Sequence, residues 1–280
     1  MIAPVAYRHC EEVTRSRAGN FYYGIRLLPP PKRRAMCAVY AFARRIDDIG
    51  DGTSSPDEQL RSLERARDDV SSIMPASPDP VIAALGDAAA RYPLPLQAFV
   101  DLIDGVEMDV RGERYPSFEA LEVYCRRVAG SIGRLSVAIF GAGRPEEAAS
   151  LSDDLGVAMQ LTNVLRDLRE DLARGRVYVP ADDLTRFGCD PQLEAADPAS
   201  LGAVVRFEIA RARSWFDRGL GLLPLLDGRS ASCVGAMTGI YQRILAKLDR
   251  RPAEALRGRI SLPAWEKAWV AARSVVGVPG

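Results

Sequence analysis

The sequence has a single histidine, His9, in 280 residues. A His-based metal centre and a Ser-His-Asp triad both need imidazole, so one ring near the chain start argues against either. His9 itself reads as a surface or packing residue. Cysteine is sparse as well. Cys10, Cys37, Cys125, Cys189 and Cys233 are scattered, odd in number and form no Cys-x-x-Cys pair. That usage argues against a zinc site and fits a reduced, cytosolic chain. Net charge is absent, with 37 basic against 37 acidic side chains and no Lys/Arg block, so no nucleic-acid partner is expected. No apolar run reaches the roughly 18 residues of a membrane span. The start, "MIAPVAYRHCEEVTRS", lacks a basic stretch followed by an apolar one, so no signal peptide is expected. The expected localisation is cytoplasmic, with peripheral contact at the inner membrane face compatible with it.

Strand signals are missing too. No alternating β-branched runs are joined by Asn-Gly or Asp-Gly. No Gly-rich dinucleotide fingerprint follows a strand, so NADPH is not expected as a cofactor. Apolar residues instead recur at three and four along stretches rich in Ala, Leu and Arg. Proline and glycine clusters such as "LPPPK" (28–32), "MPASPDP" (74–80) and "GAGRP" (141–145) cut these stretches into helices. One helix is expected around 153–173, and the last two long ones over 198–224 and 230–250. With no composition shift and no fixed repeat, residues 1–280 read as one all-α domain.

Two of the helices carry unusual polar stripes. At 100° per residue, Gln160, Asn163, Asp167 and Asp171 fall within roughly 80° of one another, and Leu161, Leu165, Leu168 and Leu172 gather on another side. Carboxylates four apart repel by about 0.2–0.5 kcal/mol, and no lysine separates this pair. Alone, the stripe reads as a solvated face, with Arg166 pairing Glu170 one turn on. In "CAVYAFARRIDDIGDG" (37–52), however, Tyr40, Arg44, Asp47 and Asp51 fall within roughly 60°, with Asp48 beside them. The four-residue spacing repeats, and these acids also oppose the helix dipole at a C-terminal end. Two unfavourable choices of one kind suggest a ligand that brings positive charge. Mg²⁺ takes carboxylate oxygens, keeps several waters and commonly bridges to phosphate. Arg44, Arg166, Arg174 and Arg176 stand ready to pair with phosphate oxygens, or with the aspartates themselves.

These segments resemble a known family. "RRIDDIGD" and "QLTNVLRDLREDLARGRVYVP" are similar to the two aspartate-rich motifs of the squalene/phytoene synthases, which join two allylic diphosphates head to head. "YCRRVAGSIGRL" (124–135), "AGNFYYGIRLLPPPKRRAMCAVYAF" (18–42), "YQRILAKLD" (241–249) and "RGRISLPAWEKAW" (257–269) resemble further segments of that family. The resemblance implies a single-domain isoprenoid synthase bundle with a deep central cavity. Its two motifs would face each other across the mouth, and three Mg²⁺ ions would hold the diphosphates there. By the same resemblance Asp47, Asp51, Asp167 and Asp171 are metal-associated and catalytic, with Asn163 as a further metal ligand. Tyr40, Arg44 and Tyr124 join the catalytic set. Phe21, Gln160, Asn163, Arg166, Arg176 and Tyr241 would bind substrate. Gly130, Ser131 and Gly133 serve either close helix packing or room for a flat prenyl chain.

The first motif reads Ala43-Arg44-Arg45-Ile46-Asp47-Asp48, and departs from the Cys-Arg-x-x-Asp-Glu pattern of bacterial phytoene synthases. It looks closest to bacterial presqualene diphosphate synthases of hopanoid pathways. Two farnesyl diphosphates giving presqualene diphosphate is the expected reaction. Phytoene synthesis from geranylgeranyl diphosphate and squalene or dehydrosqualene synthesis are the alternatives. A class I terpene cyclase and a non-enzymatic helical scaffold are the readings from outside the family.

Overall fold

The computed structural model describes residues 2–193, 197–256 and 258–276. Among the described residues there is no strand. The helices are α1 (Ile2–Arg17), α2 (Asn20–Ile25), α3 (Pro30–Gly50), α4 (Pro56–Ser71), α5 (Pro80–Ala89) and α6 (Leu96–Val110). After them come α7 (Phe118–Cys125), α8 (Ser131–Phe140), α9 (Pro145–Ala173), α10 (Ala181–Arg186), α11 (Pro198–Gly219), α12 (Gly228–Arg250) and α13 (Ala264–Val275). Proline begins α3, α4, α5, α9 and α11, where its missing N–H costs nothing. Asp79, Asp197 and Asp227 cap their helices by accepting from backbone N–H groups.

The structure redraws three of the expected boundaries. The acidic helix starts earlier than expected, at Pro145. The helix expected over 198–224 ends at Gly219 and tightens into a 3-10 turn, Leu220–Leu225. Pro224 explains the change, because its ring and missing N–H cannot continue an α-helix. The next helix begins at Gly228, immediately after its Asp227 cap.

Helices α3, α6, α8, α9 and α12 surround a cavity of about 550 Å³. Apolar side chains line its depth, among them Leu102, Val106, Ile132, Met159 and Met237. Between α7 and α8 the chain makes one π-turn, Arg126–Gly130, which widens the helix where Val128 and Ala129 meet the cavity. Such insertions cluster at functional sites. Two packing demands follow. A Cβ on Gly133 would lie 2.5 Å from the Ser152 carbonyl oxygen, and one on Gly156 would lie 2.5 Å from the Gly130 nitrogen. Glycine is thus required for α8 and the π-turn to approach α9. Gly133 also lines the cavity, whereas Gly130 and Ser131 do not. Close packing accounts for all three positions, and Gly133 alone adds room inside.

His9 is exposed, and all five cysteines are free and buried. No helix among the described residues is long and apolar enough to cross a membrane. Arg257, which opens the tail segment, lies outside the described residues.

Gly156→Ala should destabilise by about 1–3 kcal/mol, because backbone rather than flexible side chain blocks the new methyl group. A thermal melt should show a fall of roughly 2–4 °C for each kcal/mol. Gly143→Ala, which meets nothing within 4 Å, is the matched control and should melt near the parent.

Candidate active site

The acidic ends of α3 and α9 meet at the cavity mouth. Tyr40, Arg44, Asp47 and Asp51 from α3 and Gln160, Asn163, Arg166, Asp167 and Asp171 from α9 all line it. Their helical spacing turns each set inward, as the stripes predicted. Phe21 from α2 and Tyr124 from α7 complete the expected cavity wall.

Arginines hold the carboxylates. Arg176 donates to Asp51 Oδ1 at 2.8 Å and to the Gly50 carbonyl at 3.0 Å. Arg174 pairs with the same Asp51 oxygen at 2.9 Å. The exit of α9 is therefore strapped to the C-terminal end of α3. Arg166 grips Asp167 with two nitrogens, its Nε at 2.8 Å. Arg44 pairs with Asp48, and its Nε is buried without a partner. The expected Arg166–Glu170 pair does not form. Arg166 turns inward to its neighbour Asp167, and Glu170 instead lies 3.8 Å from Arg259. Arg259 also reaches Asp167 Oδ1 at 3.0 Å.

Tyr241 is placed differently from the expectation. It is 1% exposed and does not line the cavity. It packs behind Phe21, ring centroids 5.9 Å apart, and supports Arg166 by a hydrogen bond. Its position in the middle of α12 puts it in the second layer.

The stacked acids strain one another. Solvent reaches Asp47 through the mouth, yet protein atoms ring it, and that desolvation pushes its carboxyl up to about 7. The charges of Asp51, Asp109 and Asp48 push the same way, against Arg44. Asp171 is likewise pushed up to about 7, first by burial and then by Asp167 and Asp109. Burial acts on Asp51 too, but Arg176 and Arg174 overcome it and hold that carboxyl below its usual range.

Three cavity residues escaped the sequence reading. Asp109, near the end of α6, accepts from Tyr178 at 2.6 Å and from Tyr124 at 3.0 Å. In "DGVEMDV" neither Asp104 nor Glu107 stands three or four residues from Asp109 on the cavity side, so no stripe marks it. Tyr178 sits in "RVYVP", inside the quoted motif, but only the fold brings it to Asp109. Arg259 comes from the C-terminal tail, whose resemblance to the family was noted without a role for this residue.

The donor set suits a hard cation bound together with phosphate. The four stripe aspartates and the Asn163 amide line the mouth, and Asn163 Oδ1 is buried without a hydrogen-bond partner. Among the described residues no three His, Cys, Asp or Glu side chains converge as a ready-made cage. Mg²⁺ does not need one, since it commonly takes one or two carboxylates and completes its shell with water and phosphate oxygens.

Comparison with known proteins adds the family. The family model described as squalene/phytoene synthase matches residues 14–266. The chain belongs to the squalene/phytoene synthase family. A phytoene synthase of Mycobacterium tuberculosis is 47% identical, the match covering 96% of this chain and 90% of that one. A phytoene synthase of Arthrospira platensis is 34% identical over 94% of this chain and 90% of its own. Among solved structures, a dehydrosqualene synthase superposes with a TM-score of 0.89 at 26% identity, covering 98% of this chain and 97% of that one. The squalene synthase HpnC from Alicyclobacillus acidocaldarius gives 0.81 at 30% identity, covering 91% and 95%. The all-helical bundle of this chain is thus the fold of its family.

The raised carboxyls predict a pH-dependent stability. Asp171 binds a proton more tightly folded, near 7, than unfolded, near 3.8. The folded state therefore holds more protons between those values, and stability falls as pH rises through that window. Without divalent cations, Asp171→Asn should melt higher than the parent. Its advantage should grow by several degrees between pH 4 and pH 8 and level off above. An advantage that stays constant with pH would contradict the assignment.

Proposed function

We propose that this chain is a Mg²⁺-dependent synthase that condenses two farnesyl diphosphates head to head into presqualene diphosphate. The observation that carries the reading is the pair of acidic stripes set face to face, with arginines, at the mouth of an apolar cavity. Polar mouth and apolar depth match the two halves of a prenyl diphosphate. When bound, Mg²⁺ would neutralise the diphosphate and make it a better leaving group. Asp47, Asp51, Asn163, Asp167 and Asp171 are the residues that would hold it.

The chain's own groups do the rest. Arg44, Arg166, Arg176 and Arg259 offer guanidinium forks to diphosphate oxygens, a planar match that lysine lacks. The apolar walls exclude water from the allylic cation left by ionisation. Tyr40, Tyr124 and Phe21 present aromatic faces that attract it. Prenyl attachment follows, and proton loss closes the cyclopropane. In this reading the departed diphosphate or a tyrosine would assist that last step.

The farnesyl reading rests on the first-motif wording and on the likeness to a dehydrosqualene and a squalene synthase. A second reading has its own support. The 47% identical relatives are named phytoene synthases, which favours geranylgeranyl diphosphate. No NADPH requirement is proposed for either. Trp265 and Trp269 on α13 are 71% and 42% exposed and offer a place for peripheral membrane contact by an enzyme with an apolar product.

Incubation with each prenyl diphosphate plus Mg²⁺, with and without NADPH, decides between the readings. A C30 product from farnesyl diphosphate is expected, with diphosphate released. A C40 product from geranylgeranyl diphosphate alone would establish the phytoene reading, and cyclised monomers would indicate a terpene cyclase. No release from either substrate would sink the synthase reading altogether. In the same assay Asp47→Ala and Asp171→Ala should each lose on the order of 100-fold or more in turnover. Their circular dichroism should stay that of the parent, since each substitution relieves repulsion.

A further inference from the structure

Asp109 lines the cavity but belongs to neither acidic stripe. Its two oxygens take different phenols. Oδ2 accepts from Tyr124 at 3.0 Å and Oδ1 from Tyr178 at 2.6 Å. Three distant chain segments converge there: the end of α6, the end of α7 and the strap beyond α9. The two rings stack with centroids 5.1 Å apart and planes inclined by 27°. Tyr115 closes the cluster, 5.4 Å from the Tyr124 ring and 6.0 Å from that of Tyr178. Tyr124 and Tyr178 both line the cavity, yet they are only 3% and 7% exposed.

We infer that Asp109 is a positioning residue, clamping the Tyr124 and Tyr178 phenols so that ring faces, not phenol oxygens, meet the reacting carbons. A phenol oxygen free to swing toward an allylic cation would act as a nucleophile and trap it as an ether. Committing both O–H groups to one carboxylate removes that freedom. A hydrogen bond to a charged acceptor is about twice as strong as a neutral one. It also pushes electron density into the ring, which strengthens the attraction between ring face and cation. The π-turn Arg126–Gly130 follows α7, the helix that carries Tyr124, without a break.

The inference rests on the synthase reading above, and the test separates the two. Parent turnover with farnesyl or geranylgeranyl diphosphate tests that reading. Asp109→Asn tests the clamp, because an amide offers one carbonyl oxygen and satisfies at most one phenol in the same way. In Asp109→Asn, kcat should fall roughly 10- to 100-fold, with KM for the prenyl diphosphate and the half-saturating Mg²⁺ concentration within about twofold of the parent. Part of the enzyme should gain the mass of one prenyl group, the ether formed when a released Tyr124 or Tyr178 phenol captures the cation and gives up its proton. Adding the same substitution to Tyr124→Phe/Tyr178→Phe should change kcat no further, since the clamp has nothing left to hold.

A severalfold rise in half-saturating Mg²⁺ would overturn the inference in favour of metal ligation by Asp109. So would an undiminished effect of Asp109→Asn in the double-Phe background. If Asp109→Asn folds poorly, Tyr178→Phe removes one clamp bond and keeps the ring, and unchanged turnover there overturns the inference equally. A readout without substrate completes the test. The near-ultraviolet circular dichroism of the stacked tyrosines should weaken in Asp109→Asn while the far-ultraviolet signal holds, and an unaltered tyrosine signal would refute the clamp even for a chain that turns nothing over.

Discussion

Repulsion between carboxylates at the cavity mouth is the constraint on which the rest of this structure depends. Asp47, Asp51, Asp167 and Asp171 are brought together by two helix ends, and Asp109 from α6 and Glu170 from α9 add two more acids. No lysine dilutes them. The structure answers with arginine, and the answer is uneven. Asp51 holds both Arg174 and Arg176, and Asp167 holds Arg166 and Arg259. Asp47 and Asp171, which keep the less favourable surroundings, are the two whose carboxyls are pushed up to about 7. Charge that the protein itself leaves uncompensated is charge that a cation and its phosphate partners are suited to meet.

The same arginines explain how a mouth of like charges holds its shape. Arg176 bridges Asp51 and the Gly50 carbonyl, so one guanidinium ties the end of α3 to the exit of α9. Gly50 ends its helix against Val106, with no room for a side chain, which places that carbonyl within reach. Gln59 from α4 secures the same turn through the Ile49 carbonyl at 2.8 Å. A diphosphate entering the mouth would compete for guanidinium groups that already fix the geometry. Binding and shape are therefore coupled through a small number of side chains.

Helical spacing made much of the site legible in advance. A four-residue interval between acids is a statement about one helix face, and it needs no tertiary information. What the spacing left open lies across the chain. Asp109 has Glu113 four residues on, but α6 ends at Val110 and the interval marks no helix face, and its hydrogen-bond partners are 15 and 69 residues distant. Arg259 reaches Asp167 only because the tail after α12 returns over the mouth. Tyr241, which family likeness sets on the diphosphate side, lies off the cavity lining, against Phe21 and hydrogen-bonded to Arg166, a placement that helix spacing alone does not give. Helix spacing makes Glu170 a one-turn partner of Arg166. That reading fails because an arginine 8% exposed and turned into the cavity wall finds Asp167 first.

The apolar half of the cavity imposes a different demand. Side chains lining a space of about 550 Å³ lack partner atoms on one face, and so lose dispersion contacts that a filled core would supply. The surrounding helices must recover stability elsewhere. The contact of α9 with α8 and the π-turn is one place where the bundle packs closely. Gly133 and Gly156 bring backbone, and Gly130 the Asp153 carboxylate, to within a distance that no Cβ permits. Helix-interior glycine costs about 1 kcal/mol against alanine, so three of them would be unfavourable in a bundle held by side chains alone. Here they let the cavity wall be thin, rigid and closely backed, which an enzyme handling a carbocation needs more than it needs intrinsic helix stability. The π-turn belongs to the same solution, since it turns Val128 and Ala129 toward the cavity while Gly130 stays pressed against α9.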